Sequence, residues 1–467
     1  MLKFRAMKLR LLVSCAVVAL VACGGGGGGT ETGGGSGATG GGAGATGGGS
    51  ATGGGAATGG GSATGGGSAT GGGSATGGGS ATGGGTGTGG GTGTPQPTVT
   101  KVSAGRLHTC ARTSTGALWC WGSAASGQVG NGVTDSSGAG NFATPVRLFT
   151  AGVIDVGVGH DHSCAVFADG GVSCWGANES GQLGLGDTTT RNTPQHVAMA
   201  GFVATSVSGG QTSTCALSSG GAVKCWGSDQ SGQLGNTAQD TDSATPISVV
   251  GLSSGVTQVS VGATHACVVQ SGTLKCWGST AYGELGIGTP PNAAVEVPGA
   301  VSGSLSAVGV AAGYNTSCGW TTAGLWCWGN NATGECGNGA MGTQVQENSP
   351  SPVTGITAGV TSVSSNSGSY HAATCAVVAG ALKCWGDNYN LAVGTGYTPG
   401  NSSDLGPFPT PRAVPGMSSG VTQVSVGLSH ACAVQSGAVK CWGSGSPALG
   451  TGDSQTDVPT PVTVVFP

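Results

Sequence analysis

The chain is poor in charge and in aromatic rings. Of its 467 residues, 7% are Asp, Glu, Lys or Arg and 5% are Phe, Trp or Tyr. Beyond residue 10 the basic side chains never cluster, which excludes a surface built to grip a phosphate backbone, so no nucleic-acid partner is expected. Beyond residue 23 no apolar run approaches the ~20 residues of a membrane-spanning helix, and no helical period is sustained. Cys-x2-Cys spacings of the zinc-binding kind are missing, and so is the regular D-x-D-x-D-G spacing of a calcium loop. G-x-G-x-x-G matches occur only in a low-complexity tract, with no strand before them and no helix after, so they carry no dinucleotide site. These absences argue against metals and cofactors, and no set of Ser, His and acidic residues stands out as catalytic.

Glycine, in contrast, is abundant: there are 101. Many lie in residues 24–94, a tract of Gly, Ala, Ser and Thr built on the hexapeptide SATGGG. With no large apolar side chain to offset ordering entropy, it is expected to be a disordered linker. Before it, four basic residues precede LLVSCAVVALVAC, an apolar stretch with the proportions of an export signal. Its end, LVAC, resembles the lipobox of bacterial lipoproteins. That resemblance implies a signal peptide over 1–22, lipid attached to Cys23, and a flexible linker over 23–97. Gly24 after the acceptor implies sorting to the outer membrane. The linker would have an r.m.s. span of roughly 45–50 Å. The formal charge of −4 includes Lys3, Arg5, Lys8 and Arg10, and removing them leaves ten basic against eighteen acidic residues.

The remainder repeats. Trp-Gly recurs at Trp121, Trp175, Trp226, Trp277, Trp328, Trp385 and Trp442, at spacings of 51 to 57 residues, giving seven units. A Gly-x-Leu-Gly-like element follows each, and a proline step closes each, at Pro145, Pro194, Pro246, Pro298, Pro352, Pro411 and Pro461. Alternating runs such as VTQVSVG precede each unit's first cysteine, which is an all-β signal.

Of the 17 cysteines, Cys15 and Cys23 belong to the export segment and fourteen form pairs. The pairs are Cys110/Cys120, Cys164/Cys174, Cys215/Cys225, Cys267/Cys276, Cys318/Cys327, Cys375/Cys384 and Cys432/Cys441. Each brackets a turn. With Ser271-Gly272 as a two-residue loop, Gln270 and Thr273 close it, and alternation outward makes Cys267 and Cys276 a non-hydrogen-bonded pair. Such partners have Cα atoms about 4.5 Å apart, within reach of a disulfide. A three-residue loop, Ala168-Asp169-Gly170, keeps the same parity in the wider pairs. Seven disulfides are therefore expected, each closing about ten residues and worth roughly 2–3 kcal/mol in the chain-entropy model. Zinc is the competing reading, because His108, His162, His265 and His430 stand two residues before a first Cys. Ser213, Thr316 and Ala373 fill that place elsewhere, and an exported chain with matched cysteines fits oxidation better. Cys336 occupies the slot of Leu183, Leu234 and Leu285, and is read as core.

The segment VSVGATHACVVQSGTLKCWGSTAYGELG resembles the repeat of the regulator of chromosome condensation family, over about residues 98–467. The resemblance implies a seven-bladed β-propeller, one repeat per blade. The founder's nucleotide-exchange activity is not carried over, since its basic tail and GTPase-contacting elements have no counterpart here. An exported chain would also not meet a cytosolic GTPase.

Seven equivalent tryptophans point to packing between blades. Trp119, Trp320 and Trp326 lie off that register and are candidates for another role, such as stacking on sugars. Lys224, Lys275, Lys383 and Lys440 share one repeat position and form an arc open to an anionic ligand, although solvated strand lysines are the plainer reading. The connections from the Leu-Gly glycine to the proline are longer in units one, five and six, at 15 to 17 residues against 10 to 12 elsewhere. They carry Phe142, Met341, Tyr397 and Phe408, which mark a candidate binding rim. The function expected is a monomeric, lipid-anchored, non-enzymatic scaffold outside the cytosol, facing the periplasm or the cell surface, that binds a macromolecule, a protein first of all. A module for envelope or extracellular polysaccharide is the alternative, and a lyase or hydrolase is the third reading.

Overall fold

A computed structural model describes residues 95–467, apart from residues 136, 138–139, 238–240, 289–293, 344, 367–371, 397–403 and 454–455. The signal segment, Cys23 and nearly all of the linker lie outside the described residues. Among the described residues, 28 strands form seven four-stranded antiparallel sheets, each contiguous in sequence and with its strands in simple order. The chain is an all-β, seven-bladed propeller. Its blades cover residues 99–149, 153–197, 204–248, 256–300, 309–352, 360–413 and 421–463. The first strand of each blade faces its neighbours around a central channel and the fourth is outermost.

The cysteines lie where strand parity requires. Cys267 stands opposite Cys276, with Gln270 opposite Thr273 at the turn. Cys164 likewise faces Cys174 across the wider turn of blade 2, and Cys375 faces Cys384 in blade 6. Seven disulfides join the second and third strands of the seven blades: Cys110–Cys120, Cys164–Cys174, Cys215–Cys225, Cys267–Cys276, Cys318–Cys327, Cys375–Cys384 and Cys432–Cys441. Each has a Cα separation of 4.1 Å, somewhat closer than the pairing geometry alone suggests. Ser271 and Gly272 both have positive φ, which twists the hairpin in the sense its strands require.

Parity does not carry on to the outermost strand. The ladder shifts register just past the second cysteine of every blade, for instance between Cys174 and Gly176 and between Cys384 and Gly386. Around Cys174 and Cys384 the alternation expected across the hairpin holds, and the ladder to the outer strand is irregular. The outer strand there has extra residues to accommodate as a bulge.

No blade has a core of its own. The apolar side chains gather into seven clusters, each spanning a junction. In each, the disulfide of one blade packs on the inner-strand valine or alanine and the Trp-Gly tryptophan of the next. Cys110 and Cys120 meet Val156 and Trp175, and Cys164 and Cys174 meet Val207 and Trp226. Cys375 and Cys384 meet Val424 and Trp442, while Cys432 and Cys441 meet Val102 and Trp121, closing the ring. All seven tryptophans are fully buried. Each indole N–H donates to a main-chain carbonyl in the Gly-x-Leu-Gly loop of the preceding blade, at 2.8–3.0 Å. The loop's final glycine has φ of 65° to 85°. A Cβ there would stand 2.4–2.8 Å from the indole nitrogen. That close approach is why each loop ends in glycine. Cys336 fills the leucine slot, buried and with its N–H donating to Asn331 Oδ1 at 2.9 Å.

Four junctions carry a further bond. His108, His162, His265 and His430 are buried, and their Nε2 atoms lie 2.7–2.9 Å from Ser163, Thr214, Ser317 and Thr109 of the next blade. Each hydroxyl donates its proton to the carbonyl that also accepts the indole. It must therefore accept from Nε2–H, which makes each histidine a neutral Nε2–H tautomer. Nδ1 finds no partner. The ring lies against Gly105, Gly159, Gly262 or Gly427, where a Cβ would come within 2.1–2.6 Å of Cε1. Burial lowers the four pKa values, to about 4 for His108 and His265 and about 3 for His162 and His430. With all paired thiols in disulfides, the zinc alternative has no ligand sets. No group of three metal-ligating side chains occurs among the described residues.

The proline step needs one correction. In six blades the expected proline directly precedes the residue opposite the second cysteine. Pro194 precedes Gln195 opposite Cys174, Pro246 precedes Ile247 opposite Cys225, and Pro411 precedes Arg412 opposite Cys384. In blade 5 that place belongs to Pro350, because Ser351 is opposite Cys327, and Pro352 lies two residues on. A proline beside the bulge keeps each outermost edge from offering a continuous ladder to another chain.

Two measurements check this arrangement. Without reductant, the folded propeller should expose no thiol to an alkylating probe, the denatured propeller should expose Cys336 alone, and reduction should add the fourteen paired cysteines. Stability should fall as the pH drops from about 6.5 toward about 4. In that window the unfolded chain protonates histidines that the folded ring keeps neutral, at about 1.4 kcal/mol per pH unit for each. Glu335, raised by burial to about 7, opposes this between its ordinary 4.5 and about 7. Burial also raises the Glu284 carboxyl, so the net slope in denaturant midpoints is that of two to three histidines, and His265→Gln should remove one histidine's share.

Candidate binding face and channel

One face of the ring carries the connections from third to fourth strand. Their bases are fixed by side-chain caps. Asn178 Oδ1 accepts from Leu183 N–H and its Nδ2 donates to the carbonyls of Asp187 and Thr189. Asn331 and Asn388 cap Cys336 and Val393 in the same way. These connections thus leave the blades from hydrogen-bonded bases.

The structure redistributes the rim residues. Met341 is 50% exposed on the blade 5 connection. Phe408 is not a loop residue: it begins the outer strand of blade 6, opposite Gly386, only 7% exposed, with the Arg412 guanidinium 4.1 Å over its ring. Phe142 similarly begins the outer strand of blade 1, opposite Gly122, and packs half-buried on the junction with blade 2. Both phenylalanines are correctly read as apolar but wrongly as solvent-facing, because the outer strand starts earlier than its proline suggests. Tyr397 lies outside the described residues. Tyr389, 66% exposed on the blade 6 connection, is the aromatic that sequence reasoning misses. Its signal is an aromatic within the Asn-rich DNYN, where other units have small or polar residues.

The three off-register tryptophans do not gather into one platform. Trp119 is 7% exposed, edge-on to Phe466 at 5.4 Å with Arg147 over its ring, and seals the junction of blades 7 and 1. Trp326 is half-buried on blade 5 near Leu305 and Pro350. Trp320 lies in the channel wall. The four lysines are half-buried on third strands. Lys275 donates to Gln270 at 2.8 Å, and Lys224 lies 5.7 Å over the Phe202 ring, so these two have local partners.

The channel is lined by inner strands and is nearly neutral. Lys101 pairs with Asp155 at 2.5 Å. The other inward side chains are largely Ser, Thr and Gln, and many do structural work. An innermost strand is a sheet edge whose outward N–H groups need acceptors. Ser103, Ser208, Ser260, Ser364 and Ser425 accept from the next blade's Val158, Val261, Ala312, Val426 and Ala104 at 2.9–3.2 Å. Two residues earlier, Asp155, Gln258, Ser362 and Gln423 accept from Val207, Val310, Val424 and Val102.

Models of the regulator of chromosome condensation (RCC1) repeat match residues 99–128, 153–182 and 204–233, and residues 115–166, 169–217 and 221–269. Residues 99–269 carry RCC1 repeats. Over 215 residues it is 35% identical to the human probable E3 ubiquitin-protein ligase HERC3, a match covering 44% of this chain and 20% of that protein. It is 30% identical over 257 residues to the ultraviolet-B receptor UVR8 of Arabidopsis thaliana, covering 54% of this chain and 57% of the receptor. The chain thus spans a fifth to just over half of these curated relatives. Among solved structures, yeast RCC1 (Prp20) bound to Kap60 superposes with a TM-score of 0.64 at 22% identity, covering 74% of this chain and 83% of that one. At that identity the likeness establishes the fold. The RCC1 repeats of blades 1 to 4 carry the sequence match, and blades 5 to 7 repeat the same strand order and Trp-to-carbonyl bond.

Because Phe408 is packed and Met341 is not, their truncations should differ sharply. Phe408→Ala is expected to cost about 3–5 kcal/mol in denaturant unfolding. Met341→Ser should stay within about 0.5 kcal/mol of the parent.

Proposed function

We propose that this chain is a non-enzymatic, monomeric scaffold that recognises a protein partner through the third-to-fourth-strand connections on one face. It is held outside the cytosol, on the outer membrane, by lipid on Cys23 and a glycine-rich leash. The observation that carries the reading is the contrast between a ring made stiff by seven buried disulfides and seven indole bonds, and the exposed Met341 and Tyr389 on loops with capped bases. Large side chains on rigid loops lose little entropy when a partner orders them. The disulfides support an oxidising compartment, and the LVAC–Cys23 junction supports the anchor. A solved protein of this fold, yeast RCC1 (Prp20), is bound to another protein, Kap60.

The test uses the full chain with its leader. After expression in a lipoprotein-sorting host, wild type should fractionate with outer membrane, and Cys23→Ala should release it. Cross-linked partners should then be compared between wild type and the Met341→Ser, Tyr389→Ser double variant. A protein recovered with wild type and lost from an equally stable variant supports the reading. Recovery unchanged by the double substitution would sink it.

A further inference from the structure

Six blades place at least one polar side chain at the two inner-strand positions that cap the next blade: Lys101/Ser103, Asp155/Gly157, Ser206/Ser208, Gln258/Ser260, Ser362/Ser364 and Gln423/Ser425. Blade 5 has Gly309 and Ala311, which carry no acceptor at all. The N–H groups they would cap are those of Val363 and Ser365, equivalent to Val310 and Ala312, which donate to Gln258 and Ser260 one junction earlier. Val363 and Ser365 are 8% and 5% exposed and line the channel.

The same substitution makes room. Trp320 stands opposite Gly309 on the second strand. Its ring occupies the space a side chain at 309 would need, with Cζ2 2.0 Å from a Cβ built there. The indole thereby reaches a cavity of about 290 Å³ in the channel, whose wall includes Trp320, Val363, Ser365, Gln258, Gln423 and Lys101. Such a volume is near the lower end of ligand pockets, at about 300 Å³. One aromatic, two N–H donors that lack both caps and a surround of amides and hydroxyls meet at one point of the ring. Lys101 is already paired with Asp155, so the wall has no spare charge.

We propose that this section of the central channel, beside the junction of blades 5 and 6, binds a neutral saccharide of one or two rings. A sugar presents a C–H face that packs on indole and oxygens that accept hydrogen bonds. Its oxygens take the place of the missing Gln and Ser caps on Val363 and Ser365, beside the Gln258 and Gln423 amides, which already pair with the main chain of Val310 and Val102. The site is independent of the loop face and of any protein partner.

The discriminating variant is Ala311→Ser, which supplies the cap that Ser260 and Ser364 supply at neighbouring junctions. It should melt at or above the wild-type temperature. Binding of glucose, galactose, mannose, N-acetylglucosamine, maltose and cellobiose to the oxidised full chain is read by saturation-transfer NMR and calorimetry. Methyl glycosides represent a polymer end, and free sugars represent small solutes. At least one neutral sugar should bind, and Ala311→Ser should weaken it roughly fivefold to tenfold, the effect of one hydrogen bond. Trp320→Leu should weaken it further. Absence of binding across the panel at millimolar concentration, or affinity unchanged in a well-folded Ala311→Ser, overturns the proposal. Preference for galacturonate over galactose overturns the neutral class.

Discussion

The ring depends on a single bond made seven times: an indole N–H of one blade given to a loop carbonyl of the blade before it. Three residue choices follow from it. The tryptophan must be large enough to cross the junction and must carry a donor. The loop must present a bare carbonyl, so it turns through a left-handed glycine that also leaves space for the ring. The leucine before that glycine is then held in the core. Repeats that look like a string of motifs, Cys-Trp-Gly and Leu-Gly, are the two halves of one contact, divided between neighbours.

A second constraint runs around the channel. Inner strands are edges that the sheet cannot satisfy, and they are capped by serine and glutamine from the adjacent blade. VTQVSVG therefore does two jobs: its valines enter the junction clusters while its Gln and Ser face the channel as acceptors. Only at the junction of blades 5 and 6 does neither capping position offer a polar side chain. Regular repetition makes that one exception interpretable.

The fold is legible in the sequence because its signals are local or periodic. Strand parity alone places Cys267 opposite Cys276, Cys164 opposite Cys174 and Cys375 opposite Cys384, and the repeat count gives the number of blades. What fails is position within the outer strand. The bulge past Cys174 and Cys384 has no local mark, so parity cannot be extended across it. For the same reason spacing selects Pro352 where register selects Pro350, and Phe142 and Phe408 read as loop residues although they begin strands. The histidines illustrate a signal that is present and easily passed over. Each His two before a cysteine is matched by Ser or Thr one before the cysteine in the following repeat, whereas Ala266 and Ala431 follow the units with Ser213 and Ala373. That pairing appears only when repeats are compared in succession rather than stacked. Tyr389 and the Trp320 cavity need coordinates, since exposure and the space above Gly309 are properties of the closed ring.

The two classes of contact differ greatly in how far along the chain they reach. A staple joins residues 9 or 10 apart, whereas the last junction joins Gln423 to Val102, 321 residues away. Loop-closure entropy makes the first rapid to find and the second slow. Locally cross-linked hairpins can therefore exist while the circle is still open, each with one greasy flank unmatched. Assembly is in this sense a race between annular closure and mispairing of flanks, and a donor-bearing tryptophan that accepts only a turn of fixed shape selects the correct neighbour at every step.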